Sequence, residues 1–497
     1  MSSLHLIVAP PPTPNGDLHV GHMSGPYLAA DIYRRYTLQQ GNRAVYCVSS
    51  DDHQSYVDTT AERLGTTSAA LIAQARRDIQ ASFDAYSIGL DRFGQPNAEY
   101  AEFVTNFFTA LAAKRLIRPA TVPVLYDAQR GSYPVEAFVS GRCPNCLEGT
   151  CGGICEGCGH PNSCTDLLGL DGNRYQVRQE ERLILDLEQF RPALDDHLNG
   201  LGTHRPALRR LIRQLLADKL KPFVLSYKTP RGIDTGAWGL PGQHLNVWGE
   251  MYPGHMYWLT KTAGDAIADA EYVQFLGFDN SYFYVFVHVA LALAARQCGF
   301  QWPLPSAFIT NQFYNLPNGK FSTSKGNAIW ARDLALEYNT DLARLFLALH
   351  GPEYQEATFS EPIFKRAVDD LAAKINKLAA TYNSKRNRNQ TGQEAIPAEV
   401  ARLMSQELSL KEYSNAELAR RAIHALQYLE HWLATNDAAS TACIPSAIIL
   451  CLDALCPQYT SALQQQFSIR EHSWTSPARR PFDMLPEIQV QYAHAAL

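Results

Sequence analysis

The opening fifty residues constrain the fold more than any other part of the chain. Leu4-His5-Leu6-Ile7-Val8-Ala9 is a short apolar, β-prone run. It ends at Pro10-Pro11-Pro12-Thr13-Pro14-Asn15-Gly16, where successive prolines remove the donors a strand needs. Past His22 a helical pattern continues to Gln40 and stops at Gly41, and a second β-prone run, Ala44 to Ser49, delivers Asp51-Asp52-His53 at its C-terminal end. Strand, loop, helix, strand is the start of a doubly wound α/β domain with a parallel sheet. Tyr272 to Leu276 and Ala307 to Thr310 read as two more strands of that sheet.

A chain of 497 residues exceeds what one core can serve, so several domains are expected. The pattern divides it into a first half-domain (1–115), an insertion (116–235), a second half-domain (236–330), a linker (331–360) and a helical region (361–497). In the last, Phe364, Val368, Leu371, Ile375, Leu378 and Tyr382 alternate spacings of four and three. Leu418, Ala422, Leu426, Leu429 and Trp432 do the same, predicting a helical bundle reached through a polar stretch, Asn383 to Glu394. The net charge of -5 comes from interspersed signs, so no global basic field drives nucleic-acid binding; an RNA partner is neither required nor excluded. Apolar stretches such as Val285 to Ala295 are shorter than the ~18 residues of a membrane span. With no basic region in Met-Ser-Ser-Leu-His-Leu, the expectation is a cytoplasmic protein without a membrane partner.

Six of the eleven cysteines fall between Cys143 and Cys164. Cys143-x-x-Cys146 followed by Cys155-x-x-Cys158 has the spacing of a four-thiolate zinc knuckle, and a structural zinc is predicted there, at about residues 140–165. Cys151, Cys164 and His160 are surplus: too few for a second tetrad, although Cys151 could replace one of the four.

A loop entering a helix N-terminus suits anions, because unpaired N–H groups and the helix dipole point at the ligand. His19 and His22 stand at that entry with Gly21 between them, able to donate hydrogen bonds to a polyphosphate while Gly21 admits a flat base or ribose. Alone, His-x-x-His is a weak signal, since two histidines bonded to local backbone explain most chance occurrences. The second element is Asn318-Gly319-Lys320-Phe321-Ser322-Thr323-Ser324-Lys325-Gly326-Asn327, a glycine-bracketed basic loop after a strand. Its lysines are of the kind that close on the charge of departing pyrophosphate, although in isolation a solvated surface loop is the plainer reading. Chance rarely supplies both elements in one chain.

As a pair these motifs resemble the two signatures of class I aminoacyl-tRNA synthetases. The cysteine insertion, the Trp248 region and the helical C-terminus are similar to the methionyl-tRNA synthetase branch. The resemblance implies a Rossmann-type catalytic domain in which an amino acid and ATP, with its accompanying Mg, form an aminoacyl-AMP. Carried over by position, it implies that Asn15, His19, Gly21 and His22 line the ATP site, that Asp279, Ser322 and Ser324 belong to it, and that Lys320 and Lys325 clamp the triphosphate. Thr323 stands where the family has its second motif lysine, leaving Lys325 as the substitute, and Phe278 replaces a further lysine. Asp51 matches the carboxylate that pairs with the substrate's α-ammonium, against the plainer reading of a strand-end turn residue.

Several departures accompany these matches. In the amino-acid pocket Trp248 and Phe283 remain, but Pro11 and Thr13 replace a leucine and a tyrosine, His255 replaces a tyrosine, and Tyr284 and His288 replace a histidine and a tryptophan. Polar groups gained in a pocket cost affinity for methionine if left unpaired, so a more polar substrate side chain is expected. Lys377 and Thr381 occupy the positions where the family reads the anticodon with an asparagine and an arginine. The expectation is a divergent adenylate-forming ligase that passes its acyl group to a small nucleophile, such as an N-hydroxylated amine on the way to a hydrazine. The alternatives are a methionine–tRNA ligase and an inactive binding module.

Overall fold

The computed structural model describes residues 2–202, 204–317, 319–320, 328–385, 395–406, 408–436, 441–469 and 484–490. Strand β1 (Leu4–Val8) is buried along its whole length, as a strand covered on both faces must be. Its side chains alternate between two cores. Ile7 packs into one shared with the C-terminal helices, while Leu6 and Val8 point to another shared with the helix Val247–Ala263. Around it lie β2 (Arg43–Ser49), β3 (Arg92–Gly94), β4 (Glu271–Gly277) and β5 (Pro305–Asn311), in the order β5-β4-β1-β2-β3. All four pairings are parallel. Strand order reverses between β1 and β4, and in an open parallel sheet the crevice beyond that reversal is where ligands bind.

The first crossover helix departs from its expected form. One turn, Val20–His22, leads into a wide π-type turn, Met23–Tyr27, before regular helix resumes at Leu28–Gln39. Gly25 carries the break, at φ -85° and ψ -119°, and Pro26 follows it. A Cβ at Gly25 would lie 2.8 Å from Asn311 Nδ2, so the absent side chain lets this turn sit against the end of β5.

Between the helices Ala98–Ala113 and Val247–Ala263 the chain forms a long antiparallel hairpin, Ile117–Asp127 against Tyr175–Leu185. The cysteine segment sits in its connection, held by two small strand pairs, and the helices Arg191–Gly200 and Pro206–Ala217 follow. C-terminal to the sheet, the helices Glu361–Lys385, Ala398–Ser405, Asn415–Thr435, Ile444–Leu452 and Pro457–Phe467 form the bundle. The predicted seam from Phe364 to Tyr382 is buried throughout. A fully buried ion pair joins the helix Leu28–Gln39 to the helix Thr340–His350: Arg344 Nη2 lies 2.6 Å from Asp31 Oδ2 and also donates to the carbonyl of Ala454 at 3.0 Å.

Candidate active site

The strand ends surround a cavity of about 630 Å³. Pro11, Asn15, His19, Gly21 and His22 reach it from the loop after β1, Asp51 from the end of β2, Asp279 from the end of β4, and Trp248 from the insertion's return helix. These eight predicted residues therefore converge, although they span 269 positions of sequence from Pro11 to Asp279 counted inclusively (279 − 11 + 1).

His19 is the N-cap of the turn Val20–His22 and forms a reciprocal capping box with His22. The His22 backbone N–H donates to His19 Nδ1 at 3.2 Å, and the His19 backbone N–H to His22 Nδ1 at 3.4 Å. The two rings stack at 3.6 Å. With each Nδ1 accepting, the hydrogen-bond pattern assigns the proton of each neutral ring to Nε2. Burial, reinforced by the neighbouring His22, holds His19 down at about 2, so it is neutral at physiological pH. Asp17 steadies the entry: it accepts from Ser82 Oγ at 2.6 Å and pairs with Arg332 at 3.1 Å.

Asp51 is buried and its Oδ1 has no hydrogen-bond partner among the described residues. Burial first, then the nearby Glu250, raises its pKa well above the usual carboxylate range, with His53 opposing. An orphaned carboxylate oxygen facing a cavity has the chemistry to receive a cation. Behind it, His53 Nδ1 lies 2.9 Å from both oxygens of Glu250, which lifts His53 to about 9, and Tyr100 donates to the same carboxylate at 3.0 Å.

The remaining predicted pocket residues do not line the cavity. Phe283 stacks on Trp248 at 4.0 Å and 9°, and His288 Nε2–H donates to the Trp248 carbonyl at 2.8 Å. His255 Nε2 and the Tyr284 hydroxyl are 3.1 Å apart. Burial holds His255 down at about 3 and His288 at about 4. These polar groups thus largely satisfy one another; among the described residues His288 Nδ1 and the Tyr252 hydroxyl have no partner, but neither residue lines the cavity, so neither favours a more polar substrate over methionine.

Lys320 lies in the two-residue strand Gly319–Lys320, paired with Asn315 and Leu316. Ser322, Thr323, Ser324 and Lys325 lie outside the described residues. The segment that follows is bound to the first motif: Val20 N–H donates to the Ile329 carbonyl and Ala331 N–H to the Leu18 carbonyl, both at 2.9 Å.

Sequence reasoning missed Glu136. It projects from the insertion into the cavity, buried, with φ +37°, and its Oε1 accepts from Trp248 Nε1 at 3.0 Å. Burial pushes it up to about 7. Nothing in Pro134-Val135-Glu136-Ala137-Phe138 advertises this placement, which depends on the long hairpin folding back.

The four cysteines Cys143, Cys146, Cys155 and Cys158 place their sulfurs within 4.8 Å of one another. Cys143 and Cys158 are 3.7 Å apart and Cys146 and Cys155 are 3.5 Å apart, near the ~3.8 Å edge of a tetrahedron with Zn–S bonds of about 2.3 Å. The donor set therefore fits zinc. Cys151 is not in this group: it lines the cavity, with its sulfur 3.6 Å from Ser140 Oγ.

A doubly wound sheet with a histidine-capped loop at its switch point, a cysteine knuckle in its crossover and a helical C-terminal bundle defines the architecture of a class I synthetase. Residues 5–382 match the family of "tRNA synthetases class I (M)", and the chain belongs to that family. Among its relatives, the methionine–tRNA ligase of Roseiflexus sp. (strain RS-1) is 27% identical over 412 residues, covering 76% of this chain and 66% of that protein. The methionine–tRNA ligase of Chlamydia caviae is 27% identical over 434 residues, covering 80% and 75%. The match thus spans about two thirds of the length of the Roseiflexus protein. The fold is similar to that of Mycobacterium tuberculosis methionyl-tRNA synthetase in complex with methionyl-adenylate, with a TM-score of 0.74, 16% identity, and coverage of 99% of this chain and all of that one. No helix among the described residues is long and apolar enough to cross a membrane.

Proposed function

We propose that this protein joins an amino acid to ATP as an aminoacyl-AMP and passes the acyl group to a small-molecule nucleophile. The observation that carries the first half is the shared cavity, in which the unpartnered oxygen of Asp51 faces the same space as the His19–His22 entry. Asp51 holds the α-ammonium, which fixes the substrate carboxylate for attack on the α-phosphorus of ATP. The new bond joins carboxylate oxygen to phosphorus, and the bond from that phosphorus to the bridging oxygen breaks, releasing pyrophosphate. His19 and His22 donate through Nε2–H to the phosphates, Asn15, Gly21 and Asp279 complete the ATP site, and Lys320 and Lys325, with the Mg that accompanies ATP, balance the leaving charge. Zinc held by the cysteine tetrad is structural and takes no part in these steps. Trp248 and Pro11 wall the amino acid, with Phe283, His255, Tyr284 and His288 behind them.

The second half is supported by the bundle. Lys377 Nζ is 3.1 Å from Glu430 Oε2, while the single proton of the Thr381 hydroxyl has its nearer acceptor in the Lys377 carbonyl at 3.0 Å, with Glu430 Oε1 at 3.3 Å. Glu430 therefore neutralises Lys377, at one of the positions where the resemblance places anticodon readers, and leaves no unpaired cation there for an RNA phosphate. A methionine–tRNA ligase is the second reading, favoured by the retained Trp248–Phe283 stack and by the activity named for the relatives. Pyrophosphate exchange across the amino acids, followed by charging of total tRNA, separates the two. Exchange without charging is the expected result. Methionine-dependent exchange with charging would establish the second reading, and no exchange with any amino acid would leave a binding module.

A further inference from the structure

One part of the cavity wall, a lobe, has no role in the adenylate reading above. The helix Ser55–Leu64 and the cysteine insertion contribute it, through Tyr56, Thr60, Arg63, Glu136, Ala137 and Cys151. Glu136 is its buried polar group. One oxygen is occupied by Trp248 Nε1–H at 3.0 Å. Among the described residues the other has only Ser55 Oγ at 3.5 Å, and that hydroxyl has a single proton with a nearer acceptor in Gln54 Oε1 at 3.1 Å. Oε2 thus retains capacity to accept. Gly153 lies beside this carboxylate, where a Cβ would stand 3.4 Å from Glu136 Oε1, and Gly152 packs so closely on Cys164 that a Cβ there would overlap its sulfur. Gly153, at φ +104°, is also in a backbone conformation that side chains disfavour.

An amino acid has one α-ammonium, and Asp51 serves it, so a second buried carboxylate in the same cavity calls for a second donor. The lobe's charged side chains are Glu136, Glu156 and Arg63, a balance that repels the phosphodiesters of an RNA end and suits a molecule carrying N–H or O–H donors. We infer that this lobe is the acceptor site, that its ligand is a small amine or hydroxylamine, and that Glu136 Oε2 accepts a hydrogen bond from the acceptor's nucleophilic N–H or O–H. In the transfer step the acceptor nitrogen or oxygen bonds to the acyl carbon. The bond from that carbon to the phosphate oxygen breaks, AMP leaves with the electron pair, and the nucleophile's proton passes to Glu136. This inference rests on the adenylate reading above.

The test uses the full-length protein with N-methylhydroxylamine, ethanolamine and 1,3-diaminopropane as probe acceptors, following AMP release and the acylated product by mass. Exchange of pyrophosphate is measured in parallel. At least one probe is expected to saturate. In Glu136→Gln, whose amide oxygen can still accept from Trp248, kcat/KM for that probe should fall at least ten-fold further than the exchange rate does. Ala137→Leu, which narrows the lobe, should raise the probe's KM at least five-fold relative to the amino acid's KM. Saturable transfer that Glu136→Gln lowers no more than exchange would overturn the inference. So would wild-type exchange accompanied by acyl transfer to tRNA and to none of the probes. Absence of exchange in the wild type would instead remove the adenylate reading itself, and the acceptor site with it.

Discussion

The backbone of Trp330 forms an antiparallel bridge with that of His19, which holds the segment following the second motif against the entry of the first. Ala331 N–H supplies one of the two flanking bonds, to the Leu18 carbonyl, and Ala331 is also the first residue of the helix Ala331–Tyr338. Proline is tolerated at that helix position, and Trp330, at φ -70° and ψ 133°, already has the extended backbone that a following proline requires. Ala331→Pro should therefore leave the helix intact and remove only the bond to Leu18. Pyrophosphate exchange should slow by roughly 5- to 30-fold, about 1–2 kcal/mol, with an unchanged circular dichroism spectrum. An unaltered rate would mean the bridge does not position the loop.

Removing a charge-stabilising donor from the phosphate site should be more costly. His22→Ala and Lys320→Ala are each expected to reduce exchange by about 2–4 kcal/mol of transition-state stabilisation. Rates equal to wild type would place the phosphates elsewhere.

Asp51→Asn should separate stability from activity. Because the folded pKa is raised, the native state holds its proton more tightly than the unfolded chain, and stability falls as pH rises through the interval between the two values. The amide removes that cost. At neutral pH the variant should melt higher than wild type, by about 2 °C for each kcal/mol recovered, while its KM for the amino acid rises. A lower melting temperature with normal binding would contradict both assignments.

The ion pair behind the cavity has the opposite pH sign. His53 is raised to about 9 from an ordinary 6.5 by Glu250, so its contribution is fully present below 6.5 and is lost as pH rises through 9. Urea unfolding of wild type and His53→Gln at pH 6, 8 and 10 should show a stability gap that shrinks across that interval. A constant gap would mean that packing rather than charge accounts for it.

Cys146→Ser should lower zinc content, measured by elemental analysis of the purified protein, and raise proteolytic sensitivity within residues 140–165. Zinc retained at wild-type stoichiometry would contradict the tetrad.

The residues legible in the sequence share a property: their geometry is fixed by near neighbours. His19 and His22 cap one turn, a contact across three positions, so their spacing already implies the box that forms. Cys143, Cys146, Cys155 and Cys158 close a site within sixteen residues counted inclusively (158 − 143 + 1), and thiolate spacing alone predicts it. The bundle seam from Phe364 to Tyr382 follows from helical periodicity in the same way. The close packing of the π-type turn at Gly25 did not follow from the pattern, because its neighbour there, Asn311, is far along the chain.

What the sequence by itself determined is the parallel α/β opening, the cysteine cluster, the helical C-terminus and the presence of both signature motifs, since each depends on local backbone preference or on spacing within a few turns. Tertiary structure decided which side chains share the cavity. It turned His255, Tyr284 and His288 toward one another or toward Trp248 and away from the open space, brought Glu136 across from the insertion, and set Trp330 against His19. The physical reason is that these contacts join segments up to 311 positions apart (330 − 19). Their partners are chosen by how the sheet, the hairpin and the helices pack, and no local pattern carries that choice.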